Sequence, residues 1–301
     1  MNSNKVNKYL FRIIFVWSLF LFQPVCSQDY IDLLSAGTNY VPDNKYENSD
    51  SSFKLAHNFL HIQYPKVFEN KDVFLTKLSL NHYRWAETSN LDFYNIYLQL
   101  GLLKHFGEKT SLRFAVTPKI SSQLKDIEGN DFVVPVIGVL QLKPKETFSW
   151  GLGIYYSYEF FGHYFNPAIY IKWDINDHLT FYSDFPSYGY LAYHKDQKLN
   201  TGIWIASSTT SVRLSNEYNS RYIQKGYVDA SWFYDLYLTK NIVIRAKAGY
   251  SVMRALDLYA KNDKVPFTFS VMEFNDERVQ LNDDIDDAFF FEISLNYRYH
   301  Y

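Results

Sequence analysis

Read backwards in steps of two, the chain gives Tyr301, Tyr299, Tyr297, Leu295, Ile293, Phe291 and Phe289, while the positions between are His300, Arg298, Asn296, Ser294 and Glu292. A period of two puts alternate side chains on opposite faces of a β-strand, so one face is apolar or aromatic and the other polar. The pattern recurs upstream. Tyr94, Ile96, Leu98, Leu100 and Leu102 oppose Asn95, Tyr97, Gln99 and Gly101, and beyond a short turn Leu112, Phe114, Val116 and Ile120 oppose Arg113 and Lys119. Phe148, Trp150, Leu152, Ile154, Tyr156, Tyr158 and Phe160 alternate with small or polar residues that end at Glu159. Val228 to Leu238 sets an apolar face against Asp229, Ser231 and Asp235, and Ile242 to Tyr250 sets one against Arg245, Lys247 and Ser251. Links of a few residues join these runs as antiparallel hairpins.

Weaker alternation over residues 53–64, 73–85, 131–142, 165–173, from 179 onward and over 201–214 brings the expectation to about 12 strands. It becomes 14 if residues 38–44 contribute or a segment splits. Pro135 interrupts one run and removes a ladder hydrogen bond unless the strand is irregular there. The other connections, 122–130, 194–200, 215–225 and 256–287, are longer and more polar. Short turns at one end and long loops at the other are the asymmetry of an outer-membrane barrel with its long loops outside the cell.

No stretch after the first 27 residues approaches the twenty apolar residues a spanning helix needs. Backbone groups inside a bilayer must then pair between strands of a closed sheet. The expected fold is all-β, a transmembrane antiparallel up-and-down barrel over residues 51–301. It is preceded by a periplasmic segment, 28–50, with room for a first strand, and by a cleaved signal peptide, 1–27. Lys5, Lys8 and Arg12 precede an apolar run from Ile13 to Phe22, and Val25 and Ser27 suit cleavage before Gln28. Cys26 is the one cysteine, and Val25 before it disfavours lipidation. Cleavage after Ser27 leaves a chain without thiol or disulfide chemistry.

Without Lys5, Lys8 and Arg12 the 30 basic residues fall to 27 against 32 acidic ones, the wrong balance for a nucleic-acid partner. Aromatic residues make up 19% of the chain, including 27 Tyr, the side chain that suits the headgroup zone of a membrane. No cofactor motif is present and no Ser and His stand at a catalytic spacing, so no enzyme is expected, although His82, His105, His163 and His178 lie near strand ends. His57 and His61 point inward about 13 Å apart at ~3.3 Å per residue, too far for one metal ion. The acidic run Asp276, Glu277, Asp283, Asp284, Asp286 and Asp287 reads as a solvated surface loop. Lumen-lining candidates are Arg113, Lys119, Glu159, Asp229, Asp235, Arg245, Lys247, Glu292 and Arg298. They either line a conducting pore or form a salt-bridged plug, and a barrel of this size leaves both open.

With its signal ending at Ser27-Gln28, its Tyr- and Phe-rich strands and the closing Tyr297-Arg298-Tyr299-His300-Tyr301, the chain resembles outer-membrane barrel proteins of unknown function numerous in Bacteroidetes. That resemblance implies the cell outer membrane, contact with its lipids and lipopolysaccharide, and recognition of the C-terminal strand ending at Tyr301 by the barrel-assembly machinery. It transfers no functional residue. The expected roles, in order, are a porin-like channel for small solutes, a non-conducting barrel acting through its surface loops in adhesion or assembly, and a lipid-modifying enzyme.

Overall fold

Strands with one apolar face bury their backbone groups by pairing edge to edge until the last strand meets the first. The computed structural model describes residues 30–47, 51–86, 90–196 and 198–300; the expected signal peptide and Tyr301 lie outside them. In chain order the strands are β1 (Tyr30–Lys45), β2 (Ser52–Val67), β3 (Val73–Ala86), β4 (Asn90–His105), β5 (Thr110–Val116), β6 (Lys119–Ser122), β7 (Phe132–Val133), β8 (Val136–Lys145), β9 (Phe148–Glu159) and β10 (Gly162–Asn176). They continue as β11 (Leu179–Phe185), β12 (Tyr188–His194), β13 (Leu199–Arg213), β14 (Tyr222–Tyr237), β15 (Ile242–Tyr259), β16 (Val265–Phe269), β17 (Met272–Phe274) and β18 (Ala288–His300).

β5 with β6, and β7 with β8, are single barrel strands interrupted beside Pro118 and Pro135, which lack a backbone donor. The ladder survives the break because the two proline carbonyls accept hydrogen bonds from Leu98 N and Thr117 N, at 3.0 and 2.9 Å. β16 and β17 form a small hairpin, so the cylinder has 14 strands, all antiparallel to their neighbours. It closes where β1 pairs with β18 from Tyr30↔His300 to Tyr40↔Phe291.

The count is the upper one expected, 14, and the two strands beyond 12 are β1 and β12. β1 runs through most of the segment expected to lie before the barrel, because Ser35, Gly37 and Asn39 face inward and only Leu34 and Tyr40 mark an apolar face. β12 emerges because the run after Leu179 folds back at Pro186-Ser187 into a second short strand. As a result residues 194–200 turn at the same end as the short turns, not at the long-loop end.

The outer face carries the apolar set predicted by alternation. On β18 Phe289, Phe291, Ile293, Leu295, Tyr297 and Tyr299 are all exposed, while Phe290, Ser294, Asn296 and Arg298 are buried inside. Aromatic rings flank an aliphatic centre along this strand, as an apolar layer with two polar margins favours.

At the short-turn end the Asp72 carboxylate is held by Lys104 Nζ (2.7 Å) and by the backbone N–H of His105 (2.8 Å). These bonds, the lysine first, hold the carboxyl below its ordinary pKa of 3.8. A depressed folded value means stabilisation that is full above the unfolded pKa and lost as pH falls through the folded one. Asp72→Asn is therefore expected to unfold at lower urea than the parent at pH 7. The gap should close below about pH 4; equal midpoints at pH 7 would show that these bonds contribute nothing.

Candidate functional site

The lumen is the natural place to look for function, and its shape follows from a change of polarity along three strands. In the lower part of β13 the outward residues are apolar, including Ile203 and Ile205, but the same parity continues as Ser207, Thr209, Ser211 and Arg213. On β14 the outward parity ends in Gln224, and on β15 in Asp257, whereas Val212, Ile223 and Leu256 take the inward positions. Such a section cannot face a hydrocarbon layer, since each polar group would be desolvated without a partner. The upper ends of β13, β14 and β15 instead leave the wall as a three-stranded flap folded into the lumen. β12 last pairs with β13 at Tyr188↔Ala206, and β18 last pairs with β15 at Ala288↔Ser251. The crease carries a register shift between Gly226 and Val228 and a left-handed Met253.

Both faces of the flap are covered. Its inner side joins Val41, Phe53, Trp85, Phe93 and Phe290 of β1 to β4 and β18 in one apolar core that includes Val212, Ile223 and Leu256. Its other side packs Tyr222 and Tyr259 against Phe160, Phe161, Tyr164 and Val265. Arg213 of β13 bridges Ser122 of β6, which lies six strands away around the 14. An open cylinder of that many strands would hold those walls more than about 20 Å apart at ~4.8 Å per strand.

The expected lumen residues all lie inside, most of them paired. Lys119 Nζ donates to Glu159 Oε1 (2.7 Å) and Thr210 Oγ1 (2.8 Å), and Ser211 Oγ donates to Glu159 Oε2 (2.9 Å), which ties β6 and β9 to the flap. Arg113 of β5 reaches across to Asp184 of β11 through a pair of hydrogen bonds. Lys247 pairs with Glu292 at 2.9 Å. Near the short-turn end Arg245 grips both oxygens of Asp235 (2.6 and 2.7 Å), Asp235 also accepts from Arg298 Nη1 (3.0 Å), and Arg298 Nε continues to Asp32 (2.7 Å). Asp229 alone of the nine makes no ion pair with a described residue; it lines a cavity at the crease.

Other residues the sequence did not single out also face the lumen. Asp32 fell in the segment assigned outside the barrel, Asp184 beside an unrecognised turn, and Lys225 in an expected loop that is in fact buried strand. Tyr182, Tyr188, Tyr190 and Trp204 stack inside β11 to β13, with Tyr188 and Trp204 4.9 Å apart, and Arg245 lies over Trp204 at 4.9 Å. Their signal was the aromatic content of these strands, but without the β11–β12 turn the inward face could not be assigned.

The segment 256–287 differs most from its expectation as a solvated loop. Leu256 to Tyr259 belong to β15, and β16 pairs in parallel with the upper edge of β10 from Gly162↔Val265 to Phe165↔Phe269. β11 and β12 have only 7 residues each and leave the wall low beside β10. The β16–β17 hairpin fills that sector, turning Phe267, Phe269, Val271 and Met272 outward. Arg278 is gathered to Asp276 (2.9 Å), Glu273 (2.9 Å) and Gln224 (2.6 Å) beneath it. Burial opposes the charge on Asp276, but the arginine outweighs it and holds the carboxyl below its usual range.

The outer loops brace one another. Arg213 binds Asp131 and the Asp126 carbonyl, Lys125 meets Glu217 at 3.4 Å, and Lys261 meets Glu128 at 3.3 Å. His57 and His61 point inward to the same Asn81 oxygen (3.0 and 3.5 Å), and no metal-binding cluster exists among the described residues. His82 bonds Asp92 (2.7 Å) and His163 bonds Tyr156 (3.0 Å) on the outer face; neither is joined to a described serine.

A family model described as "Domain of unknown function (DUF6268)" matches residues 66–298. No curated protein matches the chain. Among solved structures, the NanC porin is similar at a TM-score of 0.38 with 9% identity, covering 88% of this chain and 98% of the porin. The translocator domain of the autotransporter NalP from Neisseria meningitidis gives a TM-score of 0.36 with 10% identity, covering 99% and 96%. A mutant porin of Rh. blastica gives 0.30 with 5% identity, covering 91% and 100%. The barrel itself is read from this chain's own closed hydrogen-bond ladder.

Proposed function

We propose that this chain, which belongs to the DUF6268 family of unknown function, is an outer-membrane barrel without a standing pore that acts through its braced outer loops. One observation carries the reading: the flap and its apolar core span the lumen from β13–β15 to β1–β4. Water and ions do not cross a packed apolar core, because every passing charge would lose its hydration without replacement. The outward apolar face supports the membrane location, where it would meet lipid and the outer loops would meet lipopolysaccharide. The C-terminal strand would serve recognition by the barrel-assembly machinery.

The outer surface supports a role in adhesion or assembly. Its three longest loops are cross-linked by Arg213–Asp131, Lys125–Glu217 and Lys261–Glu128, so it presents a fixed shape at little further ordering cost on binding. A porin-like channel with a movable gate is the second reading. It is favoured by the flap having no ladder to β12 or β18 at its margins, so that it could swing without opening the wall.

Recordings on refolded protein in planar bilayers separate the two. Flat current at all applied potentials is expected; stable steps in the unmodified protein would overturn the closed-lumen reading in favour of the gate. Arg245 and Lys247 are engaged with Asp235 and Glu292, so their replacement is expected to weaken the fold before it alters any current.

A further inference from the structure

A cavity of about 110 Å³ lies in the crease where the flap leaves the wall. Such a space holds several water molecules or a molecule of a few heavy atoms. Lys225, Asp229, Lys247, Arg254 and Glu292 bring charge to its lining, and Tyr83, Tyr227 and Trp204 bring rings. Lys247 and Glu292 satisfy each other at 2.9 Å. The remaining charges do not.

Lys225 is only 5% exposed, yet it makes no ion pair or hydrogen bond with any described residue. Its ammonium rests against the faces of Tyr83 and Tyr227, at 4.4 and 4.2 Å from the ring centroids. Arg254, on the neighbouring paired strand β15, donates to the backbone carbonyl of Asp286, at 3.4 Å. Asp229 shares the lining without an ion pair among the described residues, and Asp287 lies beside Arg254, so Lys225 is the cation left without a direct acceptor. Ring faces compensate an ammonium only in part, and a buried ammonium without a hydrogen-bonded acceptor is costly. The ammonium without an acceptor lines a space large enough to admit one.

We infer that this crease cavity binds a small organic carboxylate, its oxygens shared between Lys225 and Arg254 and its carbon skeleton against Tyr83, Tyr227 and Trp204. A guanidinium offers two parallel donors that match a carboxylate, whereas a spherical halide uses only one direction of them. The rings favour a ligand with an apolar end over a fully hydrated inorganic anion. The site lies at the crease of the flap, so its occupant touches both the flap, at Lys225, and the barrel wall, at Trp204.

The test uses the full chain folded in detergent, and so stands apart from the conductance result. Acetate and propionate are titrated at constant ionic strength against chloride and inorganic phosphate, with tryptophan fluorescence and thermal midpoint as readouts. Saturable binding of the two carboxylates is expected, at least tenfold weaker in Lys225→Met and in Arg254→Gln and retained in Lys225→Arg. The altered gel mobility of the folded form confirms folding for each variant, and the arginine replacement decides the matter should Lys225→Met not fold. No saturable response, equal binding in Lys225→Met or Arg254→Gln, or chloride or phosphate matching the carboxylates overturns the assignment.

Discussion

Asp235→Ala is expected to cost the barrel about 3–5 kcal/mol, the range for removing one partner from a buried ion pair. The side chain is 1% exposed and serves two guanidinium groups at once, Arg245 through both oxygens and Arg298 through one. Removing it leaves Arg245 with ring contacts to Trp204 and Phe233 but no carboxylate, while Arg298 keeps Asp32. The damage therefore falls on Arg245. Replacing Asp235 and Arg245 together by leucine should restore much of the loss, because neither charge then stays buried alone. Urea unfolding from lipid vesicles, followed by tryptophan fluorescence, measures both variants. A single-variant loss below about 1 kcal/mol would mean that water in the lumen screens these charges as it screens surface pairs.

Deleting residues 265–274 and joining the ends with a short flexible link is expected to abolish the folded barrel in lipid. The reason lies in what the hairpin covers. Without it the upper edge of β10, from Gly162 to Phe165, loses its ladder partner, and Gln224 and Arg278 lose Glu273. Unpaired backbone groups cost several kcal/mol each in an apolar medium. An ordinary surface loop would tolerate the same deletion with little change. The readout is the fraction that keeps the altered mobility of a folded barrel on a gel after insertion into vesicles. A fraction equal to that of the parent would show that the hairpin lies on the wall without completing it.

The fold was readable wherever outward and inward faces differed in polarity without interruption. β4, β9, β14, β15 and β18 announce themselves by alternation, and of the charges on their polar parity Asp235, Lys247, Glu292 and Arg298 face the lumen. Reading failed where the alternation changed phase. At Phe290, Leu256 and Ile223 the inward residues become apolar, which looks from sequence like the end of a strand and the start of a loop. Lys225 and Arg254 lie in that zone, so the crease cavity could not be anticipated. β1 was legible only in part, as a possible strand over 38–44, for a different reason: its inner side is small and polar, and its outer side is sparsely apolar. Cross-lumen pairs such as Arg113 with Asp184 depend on distances between walls, and periodicity along one strand carries no such information.

The low wall at β11 and β12 bears on the order of assembly. If strands are laid down in chain sequence, β10 takes its place with its upper edge still bare, and β13 to β15 follow before β16 exists to cover it. During that interval the nascent sheet has a notch open to its surroundings, and the piece that seals it arrives from far along the chain. Formation of this protein should therefore be slow and late-committing, since distant segments must meet before either gains from the meeting.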